Sequence, residues 1–206
     1  MSTDSLYFER GQSMFLFRQP TDKQVREFIA ARREMAFSYA EVGASKDGAP
    51  AGYNADHNRI RLGEGAATFQ LARQAIQSWQ MFNIGWVTLF FDNTPIEVGA
   101  CVAPCASHFG CYSLNTCRIV YTIDEERRYG FAYGTLIDHV EQGEERFLVE
   151  WNPKDDAVCY DLFAFSKPRH VLARLGYPVS RTLQKRFAQD SKQAMFRAVN
   201  QARQGV

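Results

Sequence analysis

Residues 127–151, RRYGFAYGTLIDHVEQGEERFLVEW, alternate large and small side chains on both sides of a polar turn. In residues 127–136, one face carries the large side chains, which are Tyr129, Phe131, Tyr133 and Thr135. The opposite face carries Gly130, Ala132 and Gly134, which would let a neighbouring group approach closely. In residues 145–151, one face carries Glu145, Phe147, Val149 and Trp151. Because a period of two is typical of β-strands, the stretch predicts two strands joined by a polar turn.

The same period of two extends along most of the chain around this stretch. It predicts further strands at residues 86–91, 98–103, 112–123 and 158–165, and a short strand at residues 59–62. From residue 86 onward the predicted strands are joined by short turns. This spacing indicates an antiparallel meander of six consecutive strands.

Helical periodicity marks three other segments. Thr21 and Gln24 form a capping-box pattern, which predicts a first helix over residues 22–35. Phe69, Ala72 and Ile76 share one face of a second predicted helix. A long third helix is predicted over residues 180–203, with a narrow apolar stripe that packs on one surface.

Two segments between these elements lack a clear period. Residues 39–55 contain three glycines and a proline, a composition that predicts a bent connector. A short helical turn is predicted between Pro168 and Gly176.

This order of elements predicts an α+β fold in which an antiparallel sheet wraps around a long C-terminal helix, the helix-grip arrangement. A curved sheet of this kind encloses an apolar cavity against the helix, where a small molecule can bind. Residues 1–206 are predicted to form a single domain, in which an N-terminal segment of residues 1–38 with one helix precedes a helix-grip core of residues 39–204. A core of this size requires neither a metal nor a disulfide for stability, and no cofactor is predicted.

Composition and charge exclude several classes of partner. Lys and Arg number 24 and Asp and Glu number 23, so no basic excess is present for binding nucleic acid. The first twenty residues contain no long apolar run, which argues against a signal peptide and a membrane span and predicts a cytoplasmic protein. The five cysteines are an odd number, which favours reduced thiols over a disulfide framework.

Several stretches resemble one known family, the domain of unknown function nineteen-ninety, which has a Bet v 1/START-like fold. They are AGYNADHNRIRLGEG (51–65), NIGW (83–86), LNTCRIVY (114–121), RRYGFAYGTLIDHVEQGEERF (127–147) and FAFSKPRHVLARLGYPVSRTLQKRFAQDS (163–191). The resemblance covers roughly residues 39–195. It implies the helix-grip fold, and it marks Tyr53, Asn115, Arg118, Tyr133, Thr135, His139 and Glu145 among the family's pattern residues.

Glu145 is the polar member of an otherwise apolar row. If this row lines the cavity, burial would raise the pKa of its carboxyl and make it a general acid or base, with His139 as its partner. Glu144 and Arg146 fall on the opposite face and are predicted to point outward into solvent. The alternative is that Glu141, Glu144 and Glu145 form a polar hairpin end surrounded by water.

The remaining candidates are predicted ligand contacts. Tyr133 and Thr135 place polar tips on an aromatic strand face, which suits a cavity wall. Asn115 falls in an alternating apolar row, where its amide could orient a ligand carbonyl. Arg118 lies on the opposite face, where spacing favours an ion pair with Glu144 or Glu150, and the resemblance also makes Arg118 and Tyr53 candidate ligand contacts.

Three functions compete at this point. The leading hypothesis is a protein that binds an apolar or amphipathic small molecule between its sheet and its C-terminal helix. The second is a cofactor-free enzyme of cyclase, dehydratase or isomerase type, in which Glu145 and His139 transfer protons. The third is a zinc-stabilised interaction module, suggested by the spacing of Cys101, Cys105, His108 and Cys111, although no metal site is predicted because no CxxC pair is present.

Overall fold

Two antiparallel sheets and three α-helices make up the part of the chain that the computed structural model describes, which is residues 14–91, 93–108, 110–139, 141–168 and 177–204. The helices are α1 (Asp22–Arg32), α2 (Gly65–Gln77) and α3 (Tyr177–Gln204). The strands are β1 (Met14–Leu16), β2 (Asn54–Glu64), β3 (Val87–Leu89), β4 (Cys101–Val102), β5 (Pro104–His108), β6 (Cys111–Leu114), β7 (Cys117–Glu125), β8 (Arg128–Thr135), β9 (Glu141–Trp151) and β10 (Ala157–Pro168). None of the helices in these ranges is long and apolar enough to cross a membrane.

The larger sheet has six strands in the order β2-β10-β9-β8-β7-β4, and all its pairings are antiparallel. Its centre is the meander β7–β10 that the period of two predicts. Strand β2 is longer than the predicted segment 59–62, because its whole length pairs with β10. Tyr133 of β8 lies opposite Glu145 of β9, so these two side chains share one face of the sheet.

The smaller sheet has four strands in the order β1-β6-β5-β3, and it corrects the prediction of one six-stranded meander. The predicted strand 112–123 is interrupted at Asn115 and Thr116, so that β6 and β7 belong to different sheets. The predicted strand 98–103 contracts to β4, and the predicted strand 86–91 contracts to β3. Alternation alone does not reveal which sheet a strand joins.

Helix α1 packs on the smaller sheet. Its buried side chains Val25, Phe28 and Ile29 form an apolar cluster with Cys105 and Leu114. The predicted capping box is present, since the backbone N–H of Gln24 donates to Thr21 Oγ1 and the Gln24 side chain accepts from the backbone N–H of Thr21. The helix ends three residues before the predicted residue 35, because residues 36–38 pair with the end of β8 instead.

The main core lies between the larger sheet and helices α2 and α3. Phe69, Ile76, Phe131, Phe147 and Tyr160 are among its fully buried side chains. Helix α3 extends over the predicted range 180–203, and its buried Met195 and Val199 join this core. The predicted helix-grip fold is therefore confirmed, while the predicted helical turn before Gly176 lies outside the described residues.

Candidate functional site

A cavity of about 260 Å³ lies between the larger sheet, the smaller sheet and α3. Its apolar wall includes Phe82, Trp86, Val87, Leu162 and Phe187. Its polar groups come from several strands of both sheets, from α3 and from the β6–β7 junction, where Asn115 lies. The wall is mostly apolar with a few convergent polar groups, which is typical of small-molecule sites.

Glu145 is half-buried on this wall, and its nearest polar partner is Tyr133. The Tyr133 hydroxyl donates a hydrogen bond of 2.7 Å to Glu145 Oε2. Burial raises the pKa of Glu145 to about 7, and the negative charges of Asp56 and Glu141 act in the same direction. The hydrogen bond from Tyr133 opposes this increase without cancelling it. At neutral pH the Glu145 carboxyl is therefore divided between its protonated and ionised forms.

His139 also lines the cavity, but its environment does not suit the predicted proton transfer. Its Nδ1 accepts a 3.0 Å hydrogen bond from the backbone N–H of Glu141, which leaves Nε2 as the protonated nitrogen of the neutral ring. Burial lowers the pKa of His139 to about 4. Near neutral pH the ring is neutral, and no hydrogen bond joins it to Glu145 among the described residues.

Asn115 and Thr135 both line the cavity, and their polar atoms differ in how they are bonded. The Thr135 hydroxyl accepts a 3.0 Å hydrogen bond from the backbone N–H of Gly143 and lies 2.6 Å from Ser38 Oγ. Asn115 Oδ1 is buried without a hydrogen-bond partner among the described residues. A buried acceptor without a donor is destabilising, so this oxygen is available to a bound molecule.

The sequence pattern did not indicate the polar groups that β2 and α3 contribute in and beside the wall. Arg181 of α3 forms a two-pronged ion pair with Asp56 of β2, and its Nη2 lies 2.7 Å from Asp56 Oδ1. The Gln184 amide of α3 donates to Glu141 Oε2. The predicted strand began at residue 59, so it did not include Asp56 and Asn58. A strand predicted from Asn54 would have placed both side chains on one face of β2.

Glu144 lies on the opposite face of the sheet, as predicted, but it is buried and not exposed. Its carboxylate accepts hydrogen bonds from the Tyr39 hydroxyl (2.7 Å), the Gly43 N–H (2.7 Å), the Ser45 N–H (3.1 Å) and the Ser45 hydroxyl. The predicted connector folds over this face of the sheet and supplies all four donors. Gly134 makes the contact possible, because a Cβ atom there would lie 2.0 Å from the Tyr39 hydroxyl oxygen.

The structure does not place Arg118, Tyr53 or Arg146 on the cavity wall. Arg118 Nη1 donates to the backbone carbonyls of Arg33 (3.0 Å) and Met35 (2.9 Å), so the predicted pairing with Glu144 or Glu150 is wrong. The Tyr53 hydroxyl donates to Glu41 at 2.8 Å on the protein surface. Arg146 is largely buried on the opposite face, where it pairs with Asp161 at 2.9 Å.

The four residues of the zinc pattern do not form a cluster. Cys101 belongs to the larger sheet, whereas Cys105, His108 and Cys111 belong to the smaller one. Cys105 packs in the apolar cluster beneath α1, and burial raises the pKa of its thiol to about 11. The described part of the chain contains no group of three His, Cys, Asp or Glu side chains that could hold a metal ion. The zinc hypothesis is therefore not supported.

Comparison with known proteins agrees with the fold and with the extent of the resemblance. The family described as Domain of unknown function (DUF1990) matches residues 38–194. A UPF0548 protein of Dictyostelium discoideum is 38% identical over 207 residues, covering 90% of this chain and 96% of that protein. A UPF0548 protein of Deinococcus radiodurans is 41% identical over 197 residues, covering 90% and 98%. Among solved structures, hypothetical protein jhp0584 from Helicobacter pylori superposes with a TM-score of 0.51 at 12% identity, covering 78% of this chain and 94% of that one, which indicates a shared fold.

Proposed function

The chain belongs to the DUF1990 family, and we propose that it binds an apolar or amphipathic small molecule in the cavity between its larger sheet and α3. One observation carries the proposal: a mostly apolar cavity contains a carboxyl group and an amide oxygen that protein groups leave incompletely paired. The cavity volume of about 260 Å³ is slightly below the range for ligand sites, which begins at about 300 Å³, so the site suits a small ligand.

The polar groups of the wall are held in place before a ligand arrives. The Tyr133 hydroxyl fixes one oxygen of Glu145, and Thr135 ties the end of β8 to Gly143 at the start of β9. A site with fixed polar groups binds with a smaller loss of conformational freedom. In this proposal Glu145 and Asn115 contact the ligand directly, and Tyr133 and Thr135 position the wall.

The pKa of Glu145 also favours a second candidate, a cofactor-free enzyme of cyclase, dehydratase or isomerase type. A general acid or base is most effective when its pKa lies near the working pH, and the pKa of Glu145 is about 7. In such a reaction Glu145 would transfer the proton, while neutral His139 would donate a hydrogen bond from Nε2. A binding protein would release its ligand chemically unchanged, whereas an enzyme would release a product.

Native mass spectrometry of the purified protein tests the binding proposal. We expect the wild-type protein to retain a small molecule from its host cell, or to bind the neutral apolar dye Nile red when purified empty. The larger side chain in Ala164→Leu occupies cavity space, so this variant should neither retain the small molecule nor bind Nile red. Ala67→Leu, at an exposed position of α2, should behave like the wild type. Absence of both signals in the wild-type protein, or equal signals in the two variants, would contradict the proposal.

A further inference from the structure

We propose that the ligand carries a basic nitrogen, as a protonated amine or amidine, and that its N–H groups donate hydrogen bonds to Glu145. This inference rests on the proposed binding function and names the chemical class of the ligand. It follows from three features of the cavity: its charge, its free hydrogen-bond acceptors and its aromatic wall.

The charge of the cavity wall is negative. Asp56, Glu141 and Glu145 line it, and no Lys or Arg side chain does so among the described residues. Arg181 reaches Asp56 from α3 and balances that carboxylate. Glu141 receives the Gln184 amide and the Ser180 hydroxyl and also interacts with the Arg181 charge, whereas Glu145 receives only the neutral hydroxyl of Tyr133. A cation in the cavity would supply the charge that this wall lacks, whereas an anionic ligand would be repelled.

Two hydrogen-bond acceptors on the cavity wall lack a donor among the described residues. Tyr133 occupies Glu145 Oε2 and leaves Oε1 without a donor among the described residues. Asn115 Oδ1 on the same cavity wall is buried and also lacks a donor. Two acceptors in one cavity favour a ligand with several N–H donors, since hydrogen bonds from a charged donor are the stronger ones.

Aromatic rings form the apolar part of the same wall. Phe82, Trp86 and Phe187 line the cavity, and the indole N–H of Trp86 donates to Asp190 at 2.8 Å, which fixes that ring. Aromatic faces attract cations in addition to burying hydrocarbon. The ligand class that fits all three features is an organic base with an apolar or aromatic body.

Calorimetric titration with three probes of similar shape tests this inference. The probes are phenylbutylamine, phenylbutanol and phenylbutanoate, each with its polar group at the end of the chain, and the titrations are made at pH 8. We expect the amine to bind wild-type protein at least about tenfold more tightly than the alcohol, and the carboxylate to bind most weakly. In Glu145→Gln the amine should bind no more tightly than the alcohol, and a circular dichroism spectrum like that of the wild type shows that this variant is folded. Glu126→Gln, at an exposed turn, should keep the wild-type preference.

The other outcomes separate this inference from the function on which it rests. If the alcohol or the carboxylate binds wild-type protein as tightly as the amine, the cavity is a binding site but the inference about a basic nitrogen is wrong. If the amine preference survives in Glu145→Gln, the ligand class is right and its contact with Glu145 is wrong. If no probe binds and Nile red also fails to bind, the proposed function is wrong, and the inference is wrong with it.

Discussion

Glu144 and Glu145 are neighbours in the sequence, yet β9 places them on opposite faces of the larger sheet. Glu144 is surrounded by four hydrogen-bond donors from the Tyr39–Ser45 segment. Glu145 faces the cavity with a single donor. The sequence shows only two adjacent acids in a hairpin, and alternation assigns them to opposite faces. It does not show that a loop from residues 39–46 covers the second face.

Replacement of Glu145 by Gln should stabilise the protein at alkaline pH. The folded-state pKa of about 7 lies above the ordinary value of 4.5, so the folded protein holds this proton more tightly than the unfolded chain does. The contribution of protonated Glu145 to the free energy of unfolding is fully present below pH 4.5 and is lost as the pH rises through 7. Urea unfolding should therefore show Glu145→Gln to be more stable than wild type by about 3 kcal/mol at pH 8 and unchanged at pH 4. Equal differences at the two pH values would contradict the raised pKa.

Replacement of Glu144 by Gln should destabilise the protein, although sequence analysis predicted an exposed side chain. A Gln side chain offers one acceptor oxygen in place of two and directs an N–H₂ group at backbone and hydroxyl donors. We expect a loss of about 2–4 kcal/mol in the free energy of unfolding, because buried donors would lose a charged partner. Glu126→Gln should change it by less than about 0.5 kcal/mol. A small effect at Glu144 would mean that the connector does not cover this face.

At the scale of elements, the period of two predicts the central strands β7–β10 and the shared face of Tyr133 and Glu145, and helical periodicity predicts α3. In β9, for example, Glu145, Phe147 and Val149 share the face that meets the cavity and the main core. The prediction from alternation fails at Asn115 and Thr116. The alternating pattern continues through these two residues, although the chain passes there from one sheet to the other. The residues of the candidate site likewise fall into two groups, those that alternation predicts and those that it does not. Tyr133 and Glu145 follow from alternation, whereas Asp56, Glu141 and Arg181 come together only through long-range pairing.

Removal of the Ser191 hydroxyl should loosen the packing of α3 on the larger sheet. The hydroxyls of Ser191 and Tyr160 are both buried and lie 2.9 Å apart. We expect Ser191→Ala to lower the free energy of unfolding by about 1–3 kcal/mol, because it leaves the Tyr160 hydroxyl without a partner. Gln189→Ala, at an exposed position of the same helix, should have little effect.

A double-variant cycle completes this test. Adding Tyr160→Phe to Ser191→Ala should recover part of the lost stability, since both partners of the bond are then removed. If the effects of the two substitutions simply add, the hydroxyl pair does not couple α3 to β10.

At the scale of the whole molecule, two sheets and α3 together enclose the cavity, and several titratable groups of this region interact electrostatically with Glu145. These are Asp56 of β2, Cys117 of β7, Tyr133 of β8, Glu141 of β9 and Tyr160 of β10. Burial raises the pKa of the Cys117 thiol and of both tyrosines well above their ordinary values, so these three groups stay neutral near pH 7. His139, with a pKa of about 4, is neutral as well. Burial also raises the pKa of Glu141, so the effect of this carboxyl on binding must be separated from that of Glu145.

Binding of phenylbutylamine should therefore depend on pH through Glu145. The amine itself stays protonated below about pH 10, like a lysine side chain. Its affinity should rise about tenfold between pH 6 and pH 8 as Glu145 loses its proton, and it should then level off. Binding of phenylbutanol should not change over this range. Glu145→Gln should remove the pH dependence of amine binding, and a dependence that persists in this variant would mean that a group other than Glu145 causes it.

Methyl-selective NMR during titration with phenylbutylamine locates the bound molecule directly. We expect saturable shifts of the methyl signals of Val87, Leu162 and Leu183, which line the cavity, and no shifts at Val25, which α1 buries against the smaller sheet. The same shifts should be absent in Ala164→Leu. Shifts confined to exposed residues such as Val98 and Val179, or no saturable shift at any cavity methyl with either the amine or the alcohol, would contradict ligand binding between the larger sheet and α3.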